Sequence, residues 1–238
     1  GDLIRAGTSL AGLADLRGSD TLRKLLGHPN PRVRHSVVAA LNSLGHPSTA
    51  RDLLDEFQNA SPLVRESSVK VAAYLGLPSC IDAVVNCCAD AEERVRRAAI
   101  ECLPILDDPR IRQKLRHALQ TDMPAVRAAA ATALAKVDNV EAASSLLVRA
   151  LQDGDVWVRY FAVRSLLSIG QHERAIPTLI RLATEDVAMQ VRVAAIEALS
   201  ECGSASLVTL LELASSTISD LANTAILALG GLRHPEAR

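Results

Sequence analysis

A Val-Arg pair returns at nearly constant spacing along this chain, and that period restricts the fold more than any other feature. Six segments align: PRVRHSVVAALNSLG, PLVRESSVKVAAYLG, ERVRRAAIECLPILD, PAVRAAAATALAKVD, VWVRYFAVRSLLSIG and MQVRVAAIEALSECG. Their arginines are Arg34, Arg65, Arg96, Arg127, Arg159 and Arg192, separated by 31, 31, 31, 32 and 33 residues. A seventh, degenerate copy, ISDLANTAILALGGL, puts Ala222 in the arginine column 30 residues further on. Such a period marks a small unit that buries its apolar face only against its neighbours.

Each unit reads as two helices. The first is carried in turn by ARDLLDEFQN, IDAVVNCCAD, IRQKLRHALQ, EAASSLLVRALQD, ERAIPTLIRLATED and SLVTLLELASS. A short polar or Pro-containing turn follows, and the second helix starts near the Val-Arg pair. It ends at Gly45, Gly76, Gly170 or Gly203, where glycine can take a left-handed cap, and Asp107 and Asp138 hold that slot in two repeats. Apolar residues, mostly Ala, Leu and Val, make up 49% of the chain and aromatics 2%, a balance that favours helix over strand. The expected fold is all-α, an α-solenoid of about seven stacked helical hairpins.

The pattern D-x-x-V-R-x-x-A-x-x-A-L-x-x-L/I-G, clearest in DVWVRYFAVRSLLSIG and AVRAAAATALAKV, resembles HEAT repeats, in particular the short bacterial type also found in phycobilisome lyases. The resemblance covers almost the entire chain. Tetratricopeptide and ankyrin signatures are missing. It implies second helices lining a concave surface and an Asp–Arg ladder between neighbouring turns. It does not set a function, because the family serves many unrelated tasks. We expect a single HEAT-like domain over 1–238, with units near 1–18 (partial), 19–45, 46–76, 77–107, 108–138, 139–170, 171–203 and 204–238. GDLIRAGTSLAGLADLRG reads as a second helix without its first, and LGGLRHPEAR stops where a further first helix would begin, so a piece of a longer protein is expected.

Numbering the second helix from its arginine at 100° per residue separates its faces. Positions −1, +3, +4, +6, +7 and +10 form the core sector; in the fifth repeat these are Val158, Ala162, Val163, Ser165, Leu166 and Ile169. The arginine points into the same sector and needs a partner there, since an isolated buried charge costs several kcal/mol. Acids four to six residues upstream are the candidates: Asp90 before Arg96, Asp122 before Arg127, Asp153 or Asp155 before Arg159, and Asp186 before Arg192. Asn59 and a turn containing His28 stand there in the earlier repeats. The whole column is read as structural.

The opposite sector holds positions −2, +1, +5, +8 and +9. The +1 column runs His35, Glu66, Arg97, Ala128, Tyr160, Val193; the +5 column Ala39, Lys70, Glu101, Thr132, Arg164, Glu197; the +9 column Ser43, Tyr74, Ile105, Lys136, Ser168, Glu201. Mixed signs with apolar side chains suit a protein or peptide better than a phosphate backbone, which wants cations of one sign. Three of the five aromatics lie in DVWVRYFAVRSL. Phe161 sits at +2, where other repeats have Ser36, Ser67, Ala98, Ala129 and Ala194, and is expected to fill space between repeats. Trp157 and Tyr160 lie within about 60° on the wheel with Arg164 between them, near Leu167 and Val193. Aromatics with arginine match interface hot spots; the alternative is Trp157 packed over its turn on the preceding hairpin. The candidate partner-binding set is therefore Trp157, Tyr160, Arg164, Leu167, Val193, Tyr74, Arg97 and Ile105.

No catalytic, cofactor or metal site is expected. His28, His46 and His234 precede prolines and His172 lies in the turn GQHER, which is turn chemistry and not ligand spacing. One His172-Glu173 pair falls short of the four that the HEAT-like di-iron deoxyhypusine hydroxylases use. A bilin-lyase-like or other enzyme-accessory role is the alternative function that the resemblance implies, but Cys87, Cys88 and Cys102 fall in apolar stretches and no dedicated nucleophile stands out. The basic run RIRQKLRH (Arg110, Arg112, Lys114, Arg116), with Arg94 and Arg97 nearby, reads as a solvated first-helix face and not a nucleic-acid site. A net charge of −1, no membrane-length apolar run and five cysteines without CxxC spacing point to a cytoplasmic protein with reduced thiols and no membrane partner. The reading is a noncatalytic scaffold or adaptor holding a protein or peptide on its concave surface.

Overall fold

The structure, a computed structural model, describes residues 18–45 and 48–232. The turns holding His46 and His234, and residues 1–17 of the expected partial unit over 1–18, lie outside the described residues. Among those described there are fourteen α-helices and no strand. The fold is an all-α solenoid. The chain divides into two compact units, Gly1–Ala118 and Leu119–Arg238.

In the first unit, α1 (Gly18–Lys24) packs on α2 (Pro31–Leu44), α3 (Thr49–Glu56) on α4 (Pro62–Tyr74), and α5 (Ile81–Asn86) on α4. The second helices α2, α4 and α6 (Glu93–Cys102) pack side by side in that order. Helix α7 (Ile111–Thr121) carries the boundary between the units. The second unit contains α8 (Pro124–Leu134), α9 (Val140–Ala150), α10 (Val156–Ser168), α11 (Ile176–Glu185), α12 (Met189–Ser200), α13 (Leu207–Ala214) and α14 (Ser219–Gly231). Here α9–α10, α11–α12 and α13–α14 are the hairpins, and α8, α10, α12 and α14 stack as successive second helices.

Local chemistry sets these boundaries. Pro31, Pro62 and Pro124 open α2, α4 and α8, where the missing N–H would have had no helical partner. Asp155 caps α10 by accepting from the Trp157 and Val158 N–H groups at 2.9 and 3.3 Å. At the other end Gly170 turns left-handed with φ 66°, and the Gly170 and Gln171 N–H groups close onto the Leu167 and Leu166 carbonyls. Gly45, Gly76 and Gly203 repeat the positive φ. Where proline intrudes, the expected second helix is shortened. Helix α6 stops at Cys102 and gives way to a tight turn over Leu103–Ile105, because Pro104 has no N–H for the ladder and its ring crowds the preceding carbonyls.

The core follows the register. Position +7 is buried in all six repeats, as Leu41, Ala72, Leu103, Leu134, Leu166 and Leu199. Position −1 is buried in five, as Val33, Val95, Val126, Val158 and Val191, and Val64 is half-buried. Truncating one such leucine to alanine costs about 2–5 kcal/mol, since neighbours close only part of the cavity. No described helix is long and apolar enough to cross a membrane.

Candidate protein-binding surface

The surface of the second helices is held in register by the arginine column beneath it. Arg65 Nη1 donates to the carbonyls of Asn59 (2.7 Å) and Ala60 (3.3 Å) in its own turn. Arg96, Arg127 and Arg159 do the same to Asp90 (2.9 Å), Asp122 (2.8 Å) and Asp153 (2.9 Å). The other edge of the guanidinium reaches into the next repeat. Arg65 forks onto Asp90 with both bonds at 2.8 Å, Arg127 onto Asp153 at 2.8 and 2.7 Å, and Arg159 onto Asp186 at 2.7 and 2.9 Å.

This corrects the expected pairing. Asp90 and Asp153 offer their backbone carbonyls to Arg96 and Arg159 of their own repeat and their side chains to Arg65 and Arg127 of the preceding one, and Asp186 likewise gives its side chain to Arg159. The reason is the turn: the Asp90, Asp153 and Asp186 carboxylates each also accept a backbone N–H two residues on, from Glu92, Asp155 and Ala188 at 2.8–2.9 Å. That bond fixes the carboxylate on the turn, where the arginine of the preceding repeat reaches it. Asp155, the other acid considered for Arg159, is occupied as the α10 cap. Asp122 lends its carbonyl to Arg127 while its side chain accepts from the Met123 N–H at 2.7 Å. Arg192 donates to the Ala183 carbonyl at 3.0 Å, and the following turn has Ser216 in the acid slot. Arg34 donates to the carbonyls of His28 (2.8 Å) and Pro29 (3.1 Å).

The rungs are largely dry. Side-chain exposure is 14% and 10% for Arg65–Asp90, 20% and 14% for Arg127–Asp153, and 12% and 4% for Arg159–Asp186. Burial works against the charged carboxylates, but the guanidinium and the turn N–H outweigh it and hold all three acids below their ordinary 3.8. Bidentate Arg–carboxylate pairs are among the stronger and most directional protein hydrogen bonds.

On the outward sector the candidate residues fall into two sets. In the second unit Trp157 is 51% exposed, and its ring meets Tyr160 edge-on at 5.8 Å and Phe161 at 6.2 Å. Tyr160 and Phe161 meet at 5.3 Å, also edge-on. Phe161 is half-buried and belongs to the same three-ring cluster, so the separation drawn between it and the other two is softer than the wheel implied. Arg164 Nη1 binds Glu197 Oε2 of α12 at 2.6 Å with both side chains exposed. Leu167 and Val193 are half-buried. In the first unit Tyr74 and Ile105 are 76% and 60% exposed, and Arg97 faces Glu101 at 3.5 Å. Two residues of the expected surface are withdrawn from it: Glu66 and Ala128 are each 7% exposed. Helical angle alone points Glu66 outward. It is covered because Arg34, Lys70 and Arg94 close over its carboxylate at 3.9, 2.6 and 3.7 Å.

Burial pushes the Cys87 and Cys202 thiols up to about 11, so both stay protonated at neutral pH. An open groove of about 550 Å³ on the first unit runs past Leu54, Phe57, Asn59 and Asp82, with the Arg65–Asp90 rung and Cys87 in its wall. Arg110, from the basic run, is tied to Asp108 and to Asp82, each at 2.6 Å. Among the described residues no group of three metal-ligating side chains converges.

A family model described as HEAT repeats matches residues 50–135 and 113–200, more than half of the sequence, and the chain belongs to the HEAT-repeat family. No curated protein matches the sequence. Among solved structures, YibA of Escherichia coli superposes with a TM-score of 0.75 at 21% identity, covering 94% of this chain and 85% of that one. Kap95p, solved with RanGDP, gives 0.67 at 17% identity over 90% of this chain and 34% of its own, so this chain spans about a third of Kap95p. The phycocyanin lyase complex CpcE–CpcF of Nostoc reaches 0.40 at 22% identity, over 77% of this chain and 99% of that one. The first two likenesses are of fold; the third score is too low to support a shared arrangement.

Proposed function

We propose that this chain is a noncatalytic scaffold or adaptor that holds a protein or peptide partner on the surface of its second helices, and that it works in the cytoplasm. The observation that carries the reading is the half-exposed Trp157 braced by Tyr160 and Phe161, beside the Arg164–Glu197 pair. A rigid aromatic anchor loses little entropy on binding, and aromatics with arginine dominate interface energetics. The buried Cys87 thiol and the half-buried Cys202 thiol, both pushed up to about 11, are poor nucleophiles, which favours the binding role. Kap95p, of like fold, holds RanGDP, which is the kind of task proposed.

Affinity capture from the native host tests the reading. Trp157→Ala with Tyr160→Ala is expected to lower recovery of the specific partner about tenfold or more, each anchor contributing about 1–2 kcal/mol. Undiminished recovery, or a loss explained by a lower unfolding midpoint, would make the cluster packing and not an interface.

A further inference from the structure

Around Glu66 the first unit gathers more cations than one carboxylate can satisfy. Lys70 Nζ lies 2.6 Å from Oε1, while Arg94 Nη1 and Arg34 Nη2 approach Oε2 at 3.7 and 3.9 Å. The three cations come from α4, α6 and α2, so three neighbouring second helices meet at one buried acid. Arg32 and His35 on α2 and Arg97 on α6 are exposed at the same outward register positions. Arg97 shares Glu101 at 3.5 Å, a loose contact between two half-exposed side chains. Glu93 is the remaining acid on these three helices near the sector, and it is half-buried. Five cations (Arg32, Arg34, Lys70, Arg94, Arg97) thus face three carboxylates (Glu66, Glu93, Glu101), an excess of two before His35 is considered.

The second unit does not repeat this. Its equivalent positions hold Ala125, Ala128 and Thr132 on α8, Trp157, Tyr160 and Arg164 on α10, and Gln190, Val193 and Glu197 on α12, where the one arginine is neutralised by the one acid. Within the first unit the cationic band is followed at position +9 by Tyr74 and Ile105, 76% and 60% exposed. Cations beside an uncovered aromatic and an uncovered aliphatic side chain define a complementary guest.

We infer that the second-helix face of the first unit takes an extended acidic segment of a partner protein, with an aromatic or aliphatic residue among its carboxylates. The inference rests on the scaffold reading and adds the chemistry of one partner segment. Guest carboxylates extend the arrangement that Glu66 already makes, reaching the outer cations Arg32, Arg94 and Arg97, while the apolar residue covers Tyr74 and Ile105. A nucleic-acid backbone fits less well. It would place phosphates against Glu93 and Glu101 and leave the apolar pair uncovered.

Fluorescence anisotropy with the full chain tests this. The probe is a labelled short peptide of alternating Asp and Glu around a single Phe, beside a Lys-for-acid control peptide and a labelled DNA duplex. The acidic peptide is expected to bind and to weaken about tenfold between low salt and about 0.3 M salt. Arg32→Glu with Arg97→Glu is expected to weaken it about tenfold with the unfolding midpoint unchanged, and Tyr74→Ser severalfold. The Trp157→Ala, Tyr160→Ala variant is expected to bind the peptide like the parent. Binding of the Lys peptide as tight as the acidic one, tighter binding of duplex, or indifference to the charge reversals overturns the inference. Should the acidic peptide fail while partner capture still depends on Trp157, this inference falls alone; should both fail, the scaffold reading falls with it.

Discussion

Asp153 meets four claims at once: two bonds from Arg127, one from the Asp155 N–H, and through its carbonyl one from Arg159. Removing a partner from so dry a pair leaves the other charge stranded. Arg127→Ala should therefore lower the unfolding free energy by about 2–4 kcal/mol, below the top of the range for buried pairs because the rung retains some solvent. Urea titration measures it, and an unchanged midpoint would remove the ladder from the stability account. Acid follows the same logic. Asp90, Asp153 and Asp186 hold their protons less tightly folded than the ordinary 3.8. Their stabilisation is complete above about pH 4–5 and is lost as pH falls through the lowered folded values. Thermal midpoints measured downward from pH 5 should drop, and Asp153→Asn should flatten part of that drop. At this scale the sequence showed which columns hold arginine and acid, and spacing pointed to the acid of the same turn. Spacing alone did not point to the preceding repeat, because that pairing depends on the carboxylate already capping its own turn; a ladder between neighbouring turns came only as what the resemblance implies. Glu66 was misjudged for a related reason: a wheel sees one helix, and its cover comes from Arg34 and Arg94 on two others.

Helix ends were the most readable elements. All four glycines expected as caps have φ between 54° and 66°. At Gly170 an added Cβ meets nothing within 4 Å, so Gly170→Ala isolates the cost of the left-handed backbone. A loss of about 1–2 kcal/mol is expected by chemical denaturation; no loss would mean the cap relaxes into another conformation. Helix α6 shows where repeat alignment misleads. The consensus carries its pattern through to Asp107, but Pro104 ends the regular helix at Cys102. Its Ile105 is thereby displayed on a tight turn and not on a helical face, and remains 60% exposed. The aromatic cluster was half legible. Register placed Trp157 and Tyr160 outward, but separating Phe161 from them ignored the reach of three rings within five positions of α10.

Over the whole molecule, the period alone specified an all-α solenoid, because one hairpin of this length cannot bury its own apolar face. The function was less accessible, since the same core columns recur whatever the outer columns hold. What distinguishes this chain lies on those outer columns: a cationic band with Tyr74 and Ile105 in the first unit, and a braced aromatic cluster in the second. A net charge of −1 averages both away. The most direct measurement is hydrogen–deuterium exchange of the full chain with and without the partner recovered by capture. Slowed exchange is expected in peptides from the second helices, strongest over 156–168 and 189–200, with α9 and α11 unchanged. Protection confined to the first helices, with α10 and α12 untouched, would contradict it.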